Sequence, residues 1–119
     1  MAEHNQLGNE GESLATELLR KKGYQILEKN YRFQKAEIDI IALIENTIVA
    51  VEVKTRSTPD FGSPQDFLKP AQIKRLVEAM DYYVTSKNLD YDVRFDFVGI
   101  IKNSLGTRLE HIEDAFLHF

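Results

Sequence analysis

Ala36-Glu37-Ile38-Asp39-Ile40-Ile41-Ala42-Leu43-Ile44 and Ile48-Val49-Ala50-Val51-Glu52-Val53-Lys54-Thr55-Arg56 are two apolar runs separated by Glu45-Asn46-Thr47. Isoleucine and valine dominate both, and β-branched side chains suit a pleated surface. The connection is short enough for a hairpin. Side chains on a strand alternate between faces, so Glu37 and Asp39 share one face, as do Glu52 and Lys54. Carboxylates among Ile and Val are costly to desolvate, and a cation is the natural compensation. Whether the two charged patches meet depends on register. With Asn46-Thr47 as a two-residue loop, Glu45 faces Ile48, Ile41 faces Glu52 and Asp39 faces Lys54. Asp39 and Glu52 then become diagonal neighbours on one face, about 7–8 Å apart, a gap that two carboxylates close around a small cation. An odd-length loop would put Glu52 on the opposite face.

Upstream, Leu7, Gly11, Leu14, Ala15, Leu18 and Leu19 recur at helical spacing, and Gly23 follows Lys21-Lys22 as a C-terminal cap, which predicts a helix over 9–22. Glu12 lies at the edge of that apolar stripe, where it can look toward a neighbouring strand; a first-turn Glu also favours the helix dipole. Tyr24 to Phe33 reads as a strand with a bend near Asn30. Downstream, Ser57 to Lys69 contains Pro59, Gly62 and Pro64 and reads as a long loop in which Ser63-Pro64-Gln65-Asp66 can start a helical turn. A second helix is expected from Pro70 to Lys87, with Ile73, Leu76, Val77, Met80 and Val84 as its buried stripe. Asp92 to Lys102 reads as a strand, and Arg108 to Ile112 as a weaker one. The order α-β-β-β-α-β-(β) predicts an α/β domain with a mixed central β-sheet flanked by helices. At one edge of that sheet Glu12, Asp39, Glu52 and Lys54 can meet.

With 119 residues, 43% of them hydrophobic, the chain suffices for one ordinary core and is read as a single domain, 1–119. The absence of cysteine excludes disulfides and thiolate metal sites and suits a reducing, cytoplasmic setting. Met1 to Gln6 lacks the basic and apolar regions of a signal peptide, and the apolar runs are too short to span a bilayer, so no membrane partner is expected. A net charge of −4 argues against a broad basic surface, so any nucleic-acid role needs a local basic stripe. Lys54-Thr55-Arg56 and Lys69, Lys74 and Arg75 are the candidates. His4, His111 and His118 lack metal-ligand spacing and are read as terminal or surface residues. Tyr82 and Tyr83 have the ring faces to stack on bases, although packing against the sheet is the commoner use of such a pair. Ser-His-Asp, phosphate-loop and zinc-finger patterns are absent.

Oxygen-only donors favour Mg²⁺ or Mn²⁺, and Mg²⁺ typically takes one or two protein carboxylates, leaving room for water and a phosphate oxygen. That suits phosphodiester hydrolysis, with Asp39 and Glu52 as ligands and Lys54 orienting water or neutralising developing charge. Glu12, Asp39 and Glu52-Val53-Lys54 resemble the helix Glu, Asp and Glu-x-Lys pattern of PD-(D/E)xK nucleases, the restriction-endonuclease-like group that includes the archaeal Holliday-junction resolvases. Gly11-Glu12-Ser13-Leu14-Ala15, Glu37-Ile38-Asp39-Ile40-Ile41-Ala42, Val51-Glu52-Val53-Lys54-Thr55-Arg56, Phe61-Gly62-Ser63-Pro64 and Arg94-Phe95-Asp96 more closely resemble the bacterial YraN-like family, predicted to be endonuclease-like. The resemblance implies a metal-dependent nuclease acting on DNA, branched or single-stranded, with Glu12, Asp39, Glu52 and Lys54 catalytic. Arg56, Lys69, Gln72, Lys74 and Arg75 would bind substrate, and a homodimer follows by analogy with resolvases. Ala36 stands where that family usually has Gly, and Gln72 where it often has Lys. A non-catalytic nucleic-acid-binding or assembly module on the same fold is the alternative reading.

Overall fold

The two apolar runs pair as adjacent inner strands of a five-stranded sheet. The computed structural model describes residues 2–58 and 68–116, with side chains described from residue 9 onward. Its elements are α1 (Ala2–Lys21), β1 (Gln25–Phe33), β2 (Ala36–Ile44), β3 (Thr47–Arg56), α2 (Pro70–Ser86), β4 (Asp92–Asn103) and β5 (Gly106–Ile112). The sheet runs β1-β2-β3-β4-β5; β3 and β4 are parallel, joined through α2, and the other neighbours are antiparallel. This is the expected mixed sheet flanked by helices. The turn expected at Ser63-Pro64-Gln65-Asp66 and the Phe61-Gly62-Ser63-Pro64 motif lie outside the described residues, as does His118.

Each face of the sheet carries one helix. Ala15 and Leu19 of α1 pack with Ile40, Ala42, Val49, Val51, Val98 and Ile100, while Ile73, Leu76, Met80 and Tyr83 of α2 pack with Ile38, Ile41, Ile48, Ala50, Phe95 and Phe97. Burial on both faces is why β2 and β3 read as nearly unbroken apolar runs. Val77 departs from the expected α2 stripe: it is 40% exposed, and Ala79 and Tyr83 complete the buried face instead. α1 also begins earlier than expected. Ala2 to Gln6 are tolerated by a helix but carry no apolar period, so periodicity alone does not register them. Among the described residues no helix is long and apolar enough to cross a membrane.

Two glycines set the placement of α1. Gly23 ends the helix at φ 95°, and the Tyr24 N–H donates to the Leu19 carbonyl at 3.0 Å, the closure expected of a left-handed cap. Gly11 lets α1 lie directly on β3: a Cβ built there would stand 2.1 Å from Thr55 Oγ1 and 3.4 Å from Ile100 Cδ1. Gly11→Ala is therefore expected to destabilise the fold by about 1–3 kcal/mol through overpacking. Thr55→Ala removes the clashing oxygen, so the double variant should regain most of that loss. Urea unfolding of the two single variants and the double variant measures the coupling; additive losses would show that Thr55 is not the obstacle.

Candidate functional site

The β2–β3 hairpin turns one residue earlier than the sequence suggests. Ile44 pairs with Thr47, and the ladder continues through Leu43–Ile48 and Ala42–Val49 to Ile40–Val51. The loop is thus Glu45-Asn46, with Glu45 at φ 52°. Thr47, β-branched, joins the strand, and the polar pair takes the turn. Both loops have two residues, so parity is kept and Glu52 stays on the Asp39 face. The register moves, however, and its next step sets Asp39 directly across from Glu52 instead of Lys54.

At that step the regular ladder stops. The Val53 N–H donates to Asp39 Oδ2 at 2.8 Å, and the Asp39 N–H points at Glu52 Oε2 at 3.4 Å. The carboxylates take backbone donors where strand pairing would otherwise continue. On the other side of β2, Asn30 sits at φ 55°, between the pairs Lys29–Ile40 and Tyr31–Ile38. This is the bend expected near Asn30, and it has a structural consequence. Ile38 belongs to the α2-side core and Ile40 to the α1-side core, so strict alternation fails at Asp39. Glu12 on α1 lies near enough to Asn30 and Asp39 for both to act on its carboxyl.

Asp39, Glu52 and Lys54 line one cleft, together with Glu37, Gln72 and Phe97. Burial raises the Asp39 carboxyl, opposed by the Val53 N–H, by its hydrogen bond with Glu52 and by the Lys54 charge. Glu52 is pushed well above the usual range, first by burial and then by the Asp39 charge. Burial and the Asp39 charge also raise Glu12. Asp39 is thus the carboxyl that both Glu52 and Glu12 sense, while Glu12 lies outside the cleft that Asp39, Glu52 and Lys54 line. Glu37 sits further out and pairs with Arg32 at 2.8 Å.

The residues expected to hold substrate separate into two groups. Gln72 and Arg75 line a cleft that also includes Glu37 and Glu52, and Lys74 lines the cleft beyond it. Lys69 and Arg56 are exposed and line none of these clefts. The Arg56 guanidinium donates to the Thr55 carbonyl at 3.3 Å, while the Lys69 N–H at the start of α2 is capped by Gln72 Oε1 at 2.9 Å. Gln72 therefore has a local role that a Lys there would not fill. Ala36 is 7% exposed and its methyl packs in the α2-side core, with no positive φ to demand glycine.

One cluster escaped the sequence reading. Asp96, fully buried on β4, accepts from Arg94 Nε at 2.9 Å, from His111 Nε2 at 2.7 Å and from the Asp114 N–H at 3.0 Å. Lys22 Nζ lies 2.7 Å from His111 Nδ1 and, as an ammonium, can only donate. The His111 ring thus bridges Lys22 and Asp96. It is a buried tether, in contrast to the surface residue expected. A lone acid between Phe95 and Phe97 was the available signal.

Fold and site together define an α/β domain with a mixed sheet, carrying paired carboxylates and a lysine on adjacent strands beside a helix glutamate. The chain belongs to the uncharacterised protein family UPF0102, whose model matches residues 11–100, in agreement with its YraN-like motifs. It is 63% identical over 119 residues to a UPF0102 protein of Christiangramia forsetii and 60% identical over 119 residues to one of Flavobacterium psychrophilum, covering 100% of each. A UPF0102 protein of Bacteroides thetaiotaomicron is 43% identical over 116 residues, 98% of this chain and 96% of that one.

Proposed function

We propose that the chain is a divalent-metal-dependent phosphodiester hydrolase acting on DNA, with branched or single-stranded structures as its substrates. The observation that carries this reading is the Asp39–Glu52 pair, two carboxylates facing across a fork in the sheet with Lys54 in the same cleft. The donor set fits a hard dication. It is all oxygen, and both carboxyls are pushed up by burial, so a bound dication would relieve the cost of ionising them. Among the described residues no group of three or more His, Cys, Asp or Glu gathers around one metal position, so Asp39 and Glu52 are the ligands proposed. When bound, Mg²⁺ or Mn²⁺ supplies Lewis-acid polarisation of the phosphate and lowers the pKa of water.

The remaining work falls to the chain. Lys54 places positive charge where the phosphoryl oxygens gain negative charge. Glu12, whose carboxyl is raised by burial and the Asp39 charge, accepts the proton of the attacking water. The water oxygen bonds to phosphorus, and the bond to the leaving sugar oxygen breaks. Incubating branched, single-stranded and duplex DNA with the protein and Mg²⁺ or Mn²⁺ tests the activity. A separate readout tests the metal: millimolar Mg²⁺ or Mn²⁺ should raise the melting temperature of the wild type but not of Glu52→Gln. Equal shifts in both would remove Glu52 from the metal site.

A second reading rests on Asp39 itself, because it accepts the Val53 N–H and so has a structural task at the fork. A non-catalytic binding or assembly module would keep that task, cleave none of the panel and bind DNA in EDTA with strong salt dependence.

A further inference from the structure

Lys74, Glu78 and Tyr82 follow one another at four-residue steps and form a stripe on the exposed side of α2. Facing them is the β1–β2 turn, with Gln34 at φ 55° and Lys35 exposed. Between turn and helix lies an open cleft of about 370 Å³, lined by Lys35, Lys74, Arg75 and Glu78 among others. Lys35 and Arg75 also line the next cleft, which includes Glu52 and Gln72; those two in turn line the cleft of Asp39 and Lys54. The three clefts share lining residues in turn and form a series from the α2 stripe to the carboxylates. Among the described residues, no ion pair neutralises Lys35, Lys74 or Arg75.

The far end of the series is aromatic. The Tyr82 ring stacks on Phe33, a residue of the cleft wall, with centroids 4.5 Å apart and planes 24° from parallel. Tyr82 remains 50% exposed, whereas Tyr83 is buried and donates its hydroxyl to Glu28 at 3.3 Å. The tyrosine pair thus divides: one packs against the sheet, and the other presents a braced ring at the mouth of a basic cleft. Unpaired cations along a track beside an exposed aromatic are the parts with which proteins hold single strands, since only an unpaired base offers its face for stacking.

We propose that this series of clefts binds single-stranded nucleic acid, with phosphates on Lys35, Lys74 and Arg75 and a base stacked on Tyr82. Delivery of that strand to Asp39 and Glu52 rests on the hydrolase reading; the binding does not. Glu78, the one acid of the α2 stripe, works against phosphate and sets a limit on affinity.

Fluorescence anisotropy of the full chain with labelled oligothymidylate in EDTA measures binding apart from hydrolysis. The single strand should bind about tenfold or more tighter than a duplex of equal length. Lys35→Ala/Lys74→Ala/Arg75→Ala should weaken it at least about tenfold and flatten the slope of log K against log salt by about 0.7 per lost phosphate contact. Tyr82→Ala should weaken the single strand alone, by roughly tenfold, and Glu78→Gln should tighten it. All five positions are exposed, so unchanged melting temperatures separate lost binding from lost folding. Equal or tighter binding of duplex, or an unaltered affinity and salt slope in the triple variant, would overturn the proposal. Normal binding with no cleavage by any form of the protein would defeat the hydrolase reading and leave this site standing.

Discussion

Asp39→Asn is expected to abolish metal-dependent cleavage, lowering the rate by about 10³ or more, equivalent to about 4 kcal/mol of barrier. The fold should survive it. The amide oxygen can still accept the Val53 N–H now bonded at 2.8 Å, so the fork in the sheet keeps its bond while the site loses a carboxylate charge. Asp39→Ala removes both. It should be equally inactive and also less stable by about 1–3 kcal/mol, the cost of leaving a partly buried donor unpaired. Lys54→Ala tests the other half of the site. It makes no ion pair among the described residues, so its loss should lower the rate by about 10²–10³ with little change in stability. Single-turnover cleavage beside thermal melts separates these outcomes. Wild-type rates in both Asp39→Asn and Lys54→Ala would end the assignment.

Asp96→Ala should have the largest effect on stability, about 3–5 kcal/mol, because it leaves the Arg94 guanidinium and the His111 and Asp114 N–H donors without their buried acceptor. For a domain whose total stability is about 5–15 kcal/mol, that is a large fraction. The pH dependence has a definite sign. Burial works against the Asp96 charge, yet the hydrogen bonds from His111, Arg94 and the Asp114 N–H outweigh it and hold the carboxyl below its ordinary value. A carboxyl depressed on folding contributes stability that is present above its unfolded value and is lost as pH falls through its folded one. Unfolding should therefore steepen below about pH 4, and Asp96→Asn should remove that share of the acid sensitivity. Denaturant titrations between mildly acidic and strongly acidic pH measure it. An Asp96→Asn curve parallel to the wild type would show that the cluster does not control acid unfolding.

These expectations draw unequally on sequence and structure. Strand content was readable because isoleucine and valine crowd two short runs, and the second helix because its apolar residues recur at helical steps beneath a leading proline. The site was readable as a set, since Asp39, Glu52 and Lys54 are charged residues placed inside those runs. Its pairing was not. A hairpin loop that slides by one residue keeps parity and changes every partner, so spacing brought Asp39 and Glu52 to one face without identifying which residue each opposes. Tyr82 and Tyr83 show a similar limit: neighbours on a helix differ by about 100° in direction, and only the packed sheet determines which one is buried.

Local periodicity thus identified the elements, their order and the carboxylates worth following, because those depend on residues a few positions apart. Tertiary packing decided the Asp39–Glu52 register, the break in alternation at Asn30 and the burial of His111 against Asp96 and Lys22. Lys22 and His111 are 89 residues apart, and no pattern within a strand or helix encodes their meeting. It comes from α1 packing on the sheet that also carries β5, which fixes in space what the chain leaves distant in order.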